Sequence, residues 1–437
     1  MQVSIENKEG LKRLVSVTVP AEEFKKAYTQ ELRKVAKTAR IDGFRKGHVP
    51  TSVLEKYYGA NIIGEASSSV INSSLVKALQ ENNLDVPGMP EITIKTCDLG
   101  QDFVYEAVCE VSPEVAVKPL SELQIEKVNA EITEDDINDM IETLRQQQAK
   151  WKVVDDGEAN KDSLVKIDFE GRVDGAPFEG GKAEDFSLHL GSGRMIPGFS
   201  EQIVGHKAGD KFTIQVKFPE DYHAENLKGK DAEFDITVNS VSEQVLPEVN
   251  EDFVKLFGVK DGSMETFRKD LRRNMERELK RAVTQKNASN VYEAVSKQYG
   301  EFDVPKAAVD AEIKRLRERT EANFRRYGMT RLPELKDEVF QEEALHDARL
   351  GYAIRAIVAD LKLEKADDAT VNDNLAMIAD AYENPEEVIK QLRADKQQMS
   401  YIMNKSFEDD VVKAILANAQ VTDVKKSFKE LIGNNQQ

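Results

Sequence analysis

The sequence has 437 residues, of which 40% are hydrophobic and 32% are charged, and its formal net charge is −18 at pH 7. At roughly 100–200 residues per domain, this length predicts two to four domains, each with its own hydrophobic core. The negative charge excludes a general nucleic-acid binder, because most of the surface would repel phosphate groups.

The start of the chain and its hydropathy predict a cytoplasmic location. The opening segment MQVSIENKEG has neither a basic start nor an apolar stretch, so it does not resemble a signal peptide. No run of about 18 apolar residues occurs, and we therefore expect no membrane-spanning helix and no membrane partner. Cys97 and Cys109 are predicted to lie on one hairpin, out of register with each other, and to remain free thiols as in a reducing compartment.

Residues 1–112 predict one small α+β domain. Two alternating segments near the start are followed by apolar residues at helical spacing, until the chain breaks at Gly43. A second helical region is predicted from Pro50 to about residue 82. The segments EITIKTC and DFVYEAVCEV, joined around Gly100, then predict a hairpin that closes the domain.

Positive charge is concentrated in one short segment of this domain. From Lys25 to Lys46 there are eight basic and two acidic residues, so the segment carries +6 and the rest of the chain −24. One basic patch on an otherwise acidic protein predicts a specific anionic partner at that patch. We expect no DNA partner, because the remaining surface repels polyanions.

The loop GFRKGHVP between the two predicted helices carries three conspicuous side chains. Gly43 and Gly47 allow a tight exposed turn, whose tip would present Phe44, Arg45 and Lys46. Arginine and lysine bind phosphates or carboxylates while phenylalanine fills an apolar niche, which is the chemistry expected at a ribonucleoprotein surface. The alternative is a plain connection in which the phenylalanine folds back into the core and the charges are only solvated.

The rest of the chain divides into three segments. Residues 113–149 predict a helical linker, with a capping box formed by Thr133 and Asp136 at the start of its helix. Residues 150–246 contain short alternating strands and many glycines, which indicate a compact, mostly β domain. Residues 247–437 show long helical patterns and predict an all-α domain. The predicted fold class is therefore multi-domain α+β.

The central segment resembles the FKBP family of prolyl isomerases over nearly its whole length. The diagnostic stretches are Phe169-Glu-Gly171, Asp174-Gly175 before Phe178-Glu179-Gly180-Gly181, and Gly191 through Ile196-Pro-Gly-Phe199. The resemblance implies an antiparallel β domain with a short helix, and an apolar substrate site. Carried over by position, that site would comprise Phe169, Phe178, Phe186, Met195, Ile196, Phe199, Tyr222 and Phe234, with Glu179 at its rim.

Aromatic side chains suffice for the isomerisation of an X-Pro bond, because the reaction needs no nucleophile and no metal. Its barrier of about 18–20 kcal/mol comes from amide resonance. A pocket that holds the proline ring, excludes water and binds the twisted amide more tightly than the planar one lowers this barrier. The alternative is that these aromatic residues only form the core of a small barrel.

No metal and no cofactor are predicted. His189, His206 and His223 lack the spacing of metal ligands, and surface or packed histidines are the expected outcome. No phosphate-binding loop occurs either, which argues against a chaperone driven by ATP.

The full chain resembles the bacterial trigger factor family, through GFRKGHVP in the first domain, the FKBP segment and the helical C-terminal region. The resemblance implies that Phe44, Arg45 and Lys46 bind the large ribosomal subunit beside the exit tunnel. It also implies that residues 247–437 form the body and arms of a cradle for nascent polypeptides. This cradle would act without ATP. A free-standing prolyl isomerase with a dedicated client, and an assembly protein with an inactive FKBP module, remain alternatives. An exposed apolar cradle would also allow the protein to form a self-dimer when it is not bound to the ribosome.

Overall fold

The computed structural model describes residues 1–222, 224–329, 332–382 and 384–433. Its strands β1 to β11 are Gln2–Asn7, Lys12–Val19, Glu91–Thr96, Phe103–Glu110, Gln124–Asn129, Lys150–Val154, Leu164–Val173, Ala176–His189, Lys211–Lys217, Asp231–Val245 and Gln420–Lys425. Its helices α1 to α11 are Ala21–Thr38, Thr51–Glu81, Glu134–Gln147, Glu251–Lys255, Met264–Tyr299, Lys306–Arg326, Gln341–Asp360, Asp368–Ala379, Pro385–Ala394, Lys396–Asn418 and Phe428–Ile432. The predicted multi-domain α+β class is confirmed.

The chain forms two compact units, each built from segments that are distant in sequence. The first unit comprises Met1–Asn129 and Val283–Lys425, and the second comprises Ala130–Ala282 and Lys426–Gln437. The boundaries after residues 112, 149 and 246 that we expect from the sequence stay a prediction.

An antiparallel sheet with the strand order β1-β2-β4-β3 begins the first unit, and α1 and α2 cover it. The predicted hairpin is confirmed, since Glu91 on β3 pairs with Val108 on β4. Phe24 of α1 stacks on Phe103 of β4 with ring centroids 4.7 Å apart. The backbone N–H of Ala21 donates a hydrogen bond of 2.9 Å to the Asp102 carboxylate, which satisfies an otherwise unpaired donor at the start of α1. These contacts fix α1 on the sheet.

Both cysteines of this sheet are free thiols, as predicted. Cys109 is buried on β4 opposite Arg13 of β2, while Cys97 lies just beyond β3 and is half-buried. Burial raises the pKa of the Cys109 thiol, which keeps it protonated and unreactive.

The C-terminal region is helical, as predicted, apart from one short strand that pairs with a strand of the linker. This strand, β11, pairs in parallel with β5 from Gln420 opposite Gln124 to Lys425 opposite Asn129. For the same reason the linker is helical only in its second half, where α3 starts with the predicted capping box. Local periodicity could not reveal this pairing, because the two strands lie far apart in the chain.

The side-chain amide of Asn287 on α5 holds β5 in place. Its oxygen accepts a hydrogen bond of 2.7 Å from the Val128 N–H, and its nitrogen donates one of 3.0 Å to the Val128 carbonyl. Asn287 is buried, so both polar groups of Val128 are satisfied away from water. Around this strand, Val291, Ile357 and Ile415 of three helices form a common apolar core.

The second unit contains an antiparallel sheet with the strand order β6-β10-β7-β8. The fifth strand, β9, pairs with the N-terminal half of β10, whereas β6 pairs with the C-terminal end of β10. The short helix expected in this domain is a single 3-10 turn, Leu190–Ser192, and residues 197–205 beyond it form consecutive turns. Gly198 and Gly205 have φ values of +86° and +91°, which are incompatible with a right-handed helix at either end of this stretch. Within the described ranges, no helix is long and apolar enough to cross a membrane.

Candidate functional sites

The loop GFRKGHVP projects from the first unit between α1 and α2. Gly43 and Gly47 have φ values of +89° and +80°, a conformation that residues with a side chain rarely adopt. Residues 42–48 are all exposed, and 42% of Phe44 is accessible to solvent. Phe44 therefore does not fold back into the core.

Buried residues on both sides anchor this loop. Ala39, Val49 and Leu54 form a small apolar cluster with half-buried residues of α1. Within the loop, the Phe44 N–H donates to the Ile41 carbonyl at 3.1 Å, and the His48 N–H donates to the Arg45 carbonyl at 3.0 Å. The tip is thus preformed, which lowers the entropy cost of binding a partner.

The two cations of the tip are available for a partner. Arg45 and Lys46 are exposed and form no ion pair with any residue that the structure describes. An exposed apolar ring next to two unpaired cations is suited to a surface that offers both phosphates and an apolar niche.

A network of aromatic rings occupies the interior of the second unit. Phe169 lies edge-on to Phe186, Phe199 and Phe234, with ring centroids 5.6, 5.9 and 6.0 Å apart. Phe234 also contacts Phe199 at 5.1 Å and Phe178 at 6.0 Å. Edge-to-face pairs at these distances are favourable beyond their buried area. The five phenylalanines named from the sequence therefore lie in one cluster.

Phe218 also belongs to this network, although it was not among the predicted residues. Its buried ring lies 5.8 Å from Phe178 and 4.8 Å from Tyr222, so it links Tyr222 to the other rings. The segment KFTIQVKF places apolar side chains at every second position, and Phe218 is the last of them. That alternation is the signal that could have identified it.

The rings differ in burial, which divides the cluster into a floor and a rim. Phe199 and Phe234 are buried, at 0% and 4% exposure, and form the floor, whereas Phe186 is 37% exposed. Glu179, which the sequence predicts at the rim, is exposed. Phe178, Met195, Ile196 and Tyr222 are half-buried and pack against the same core.

A bulge between β7 and β8 sets the position of Phe186. Ile167 pairs with Phe186, and Phe169 pairs with Ala183. Asp168 of β7 therefore faces two residues of β8, Glu184 and Asp185, and this mismatch is a β-bulge. The carboxylate of Asp168 accepts a hydrogen bond of 2.7 Å from the Asp185 N–H, where φ is +50°. This backbone irregularity was not predictable from alternation, and it directs Phe186 towards the aromatic network.

Gly171 on β7 lies against two rings of the network. A Cβ atom added there would come within 2.5 Å of Cε1 of Phe234 and 2.9 Å of Cε1 of Phe178. Real Cβ atoms do not approach other atoms so closely, so only glycine lets both rings pack against this strand.

The histidines of this unit have structural surroundings. His206 stacks on Phe212 at 3.6 Å and lies 3.2 Å from the Asp210 carboxylate. The pKa of Asp210 is lowered, first by the hydrogen bond from the Lys207 backbone N–H and then by the one from His206. His189 lies 5.4 Å from the ring of Trp151, and His223 lies outside the described residues. No group of three potential metal ligands occurs in the part of the chain that the structure describes.

Three family models match the sequence. Residues 1–144 match the model described as "Bacterial trigger factor protein (TF)", and residues 263–417 match "Bacterial trigger factor protein (TF) C-terminus". Between them, residues 155–239 match "FKBP-type peptidyl-prolyl cis-trans isomerase".

Curated relatives match from end to end. The chain is 41% identical over 437 residues to the trigger factor of Idiomarina loihiensis, with 100% of both chains covered. It is 42% identical over 433 residues to that of Psychromonas ingrahamii, with 99% of both covered. A solved structure entitled "Promiscuous Substrate Recognition in Folding and Assembly Activities of the Trigger Factor Chaperone" covers 95% of this chain, with 17% identity and a TM-score of 0.47.

Proposed function

The chain belongs to the bacterial trigger factor family, and on that premise we propose that it docks on the ribosome through the tip Phe44-Arg45-Lys46. It is a ribosome-associated chaperone with a peptidyl-prolyl isomerase domain of the FKBP type. The observation that carries the docking proposal is the preformed, exposed tip with its two unpaired cations. The partner at this tip is the large subunit near the exit tunnel, where ribosomal RNA and protein together supply phosphates and an apolar niche.

Binding of unfolded nascent polypeptides is the second part of the proposal. Helices of residues 247–437 would provide the cradle, which acts in the cytoplasm and without ATP. Exposed apolar side chains in this region, including Tyr401 and Met403, support promiscuous binding, because such surfaces adapt to many partners. The same exposed surface would favour a self-dimer when no ribosome is bound.

For the isomerase domain we assign substrate binding to the aromatic network and its rim. A proline ring would pack on the half-buried side, against Phe186, Met195, Ile196 and Tyr222. The buried floor excludes water from the amide and so favours its twisted, less charge-separated form. We add Phe218 to the residues expected from the sequence, because its ring packs against Tyr222.

Gly171→Ala should disrupt the packing of the aromatic network that we assign to the isomerase site. The new methyl group must displace Phe234 and Phe178, so we expect the isomerisation rate on a proline tetrapeptide to fall at least about tenfold. Overpacking should also lower the free energy of unfolding of this unit by about 1–3 kcal/mol. Both quantities are measurable on the full chain, by a coupled peptide assay and by urea unfolding. An unchanged rate and an unchanged unfolding midpoint would show that the rings have room for the methyl group.

Co-sedimentation of the wild-type protein with purified ribosomes tests the proposed function. We expect binding at low salt that weakens at physiological salt, because cations of the tip contact phosphates. Absence of binding at both salt concentrations would favour the free-standing prolyl isomerase with a dedicated client. In that case, binding of an unfolded, proline-free protein would distinguish a chaperone from an isomerase without chaperone activity.

A further inference from the structure

Three basic residues of α1 form a row that leads to the docking loop. Lys26, Arg33 and Lys37 are spaced by seven and four residues, which places them within about 40° of one another on a helix of 3.6 residues per turn. At about 1.5 Å per residue, the row is roughly 16 Å long. We call these three residues the α1 row.

The α1 row points directly away from the domain core. Phe24 and Tyr28 of α1 are buried against the sheet, and their positions on the helix are about 160–200° from Lys26. All three residues of the α1 row are exposed. A partner can therefore approach the whole row without any change in the fold.

The cations of the α1 row are also unpaired. Lys26, Arg33 and Lys37 form no ion pair with any residue in the described ranges. Lys34 of the same helix behaves differently, because its ammonium group lies 2.6 Å from the carboxylate of Glu31. Arg33 and Lys37 are like charges one helical turn apart, so they repel each other, and a bound polyanion would relieve that repulsion.

The chemistry of the row identifies the polyanion. A membrane surface is excluded as the best fit, because a membrane-binding helix exposes apolar residues, whereas the apolar stripe of α1 is buried in the domain core. Gln30, between Lys26 and Arg33 on the same side of the helix, is polar and exposed. A row of cations without an apolar anchor matches the repeating phosphates of a nucleic acid backbone.

We propose that the α1 row binds the phosphate backbone of ribosomal RNA, as a second contact beside the loop tip. This inference rests on the proposed ribosome docking. Phosphate contacts carry no base sequence information, so the row orients the domain and strengthens binding while the tip selects the position. Because each phosphate contact releases counterions, the row makes binding more dependent on salt than the tip alone would.

The test replaces the row and measures the salt dependence of ribosome binding. In the row variant, Lys26→Gln, Arg33→Gln and Lys37→Gln are combined in the full chain. We expect affinity to fall roughly 10- to 100-fold at about 0.1 M salt, and the slope of log K against log salt to become shallower by about one unit per lost cation. The folded state should be unaffected, since these side chains are exposed and make no ion pair that the structure describes.

A control variant makes the same change in charge elsewhere in the domain. Lys8→Gln, Lys77→Gln and Lys95→Gln remove three exposed lysines that are paired with Glu6, Glu81 and Glu106 at 2.9, 3.8 and 3.0 Å. The slope of this control variant should stay close to that of the wild type. An equal loss of affinity in both variants would show that the effect depends only on net charge, and it would overturn the proposal for the α1 row.

A photo-crosslinking amino acid at Gln30 identifies the partner directly. We expect a crosslinked product that ribonuclease degrades. A product that resists ribonuclease and yields ribosomal peptides would overturn the RNA assignment in favour of an acidic protein. Loss of binding to vesicles of phosphatidylcholine and phosphatidylglycerol in the row variant, with ribosome binding unchanged, would assign the row to a membrane.

The two proposals fail in distinguishable ways. If the wild type does not co-sediment with ribosomes, the proposed function and the α1 row are both overturned. If the wild type binds and the row variant binds with the same affinity and slope, only the α1 row is overturned.

Discussion

Replacement of Phe44, Arg45 and Lys46 together by alanine is expected to abolish co-sedimentation with ribosomes. The tip offers one exposed ring and two unpaired cations, and side chains of this kind contribute about 2 kcal/mol or more each at the centre of an interface. Losing two or three of them corresponds to a reduction in affinity of roughly 1,000- to 10,000-fold. Sedimentation at low and at physiological salt, followed by quantification of the pellet, measures this loss.

The loop variant should fold normally, which makes its phenotype specific. All three side chains are exposed, while the residues that anchor the loop, Ala39 and Val49, are left in place. His48→Ala is the matched control, because His48 is exposed in the same loop but lies outside the tip. Pellets with equal amounts of wild type and triple variant would disprove docking through the tip.

Phe199→Ala is expected to reduce X-Pro isomerisation by roughly 100-fold, through loss of the floor of the aromatic site. Phe199 is fully buried and contacts both Phe169 and Phe234, so its removal leaves a cavity beneath the place where the proposed site would shield the twisted amide from water. Binding of an unfolded, proline-free protein should be retained, because chaperone binding would use other surfaces. A coupled tetrapeptide assay and an aggregation-suppression assay measure the two activities on the same protein.

Loss of a buried ring also costs about 3–5 kcal/mol of stability, so a second variant is needed. Phe186→Ala removes a rim residue that is already 37% exposed, and it should lower isomerisation with a much smaller cost in stability. Phe212→Ala is the control, because Phe212 stacks on His206 outside the aromatic network. Full isomerase activity of the Phe186 variant would remove this ring from the site. Equal loss of isomerase and chaperone activity in the Phe199 variant would point to one shared site.

Elements that depend on local sequence could be predicted, and those that depend on distant pairing could not. The periodicity of α1 and the capping box of α3 are encoded within a few turns, and both agree with the structure. In contrast, β11 becomes a strand only because β5 offers it a parallel edge, and a short polar segment gives no sign of that partner.

The candidate sites were predictable to different extents. The three tip residues and the aromatic residues could be named from their motifs, whereas their assignment to ribosome and substrate binding stays a prediction. The bulge that positions Phe186 depends on hydrogen bonds around Asp168, which alternation cannot encode. The α1 row was visible in the sequence only as part of a basic segment. Separating its free cations from the paired Lys34 required the positions of the side chains.

The parallel pairing of β5 with β11 has a consequence for how the protein is made. About 290 residues separate the end of β5 from the start of β11, and synthesis proceeds at about 5–20 residues per second. During translation, β5 therefore waits roughly 15–60 s before the strand that pairs with it is available. The first unit cannot close until residues 420–425 have been synthesised, so during its own synthesis this chaperone exposes an unpaired strand of the kind that aggregates.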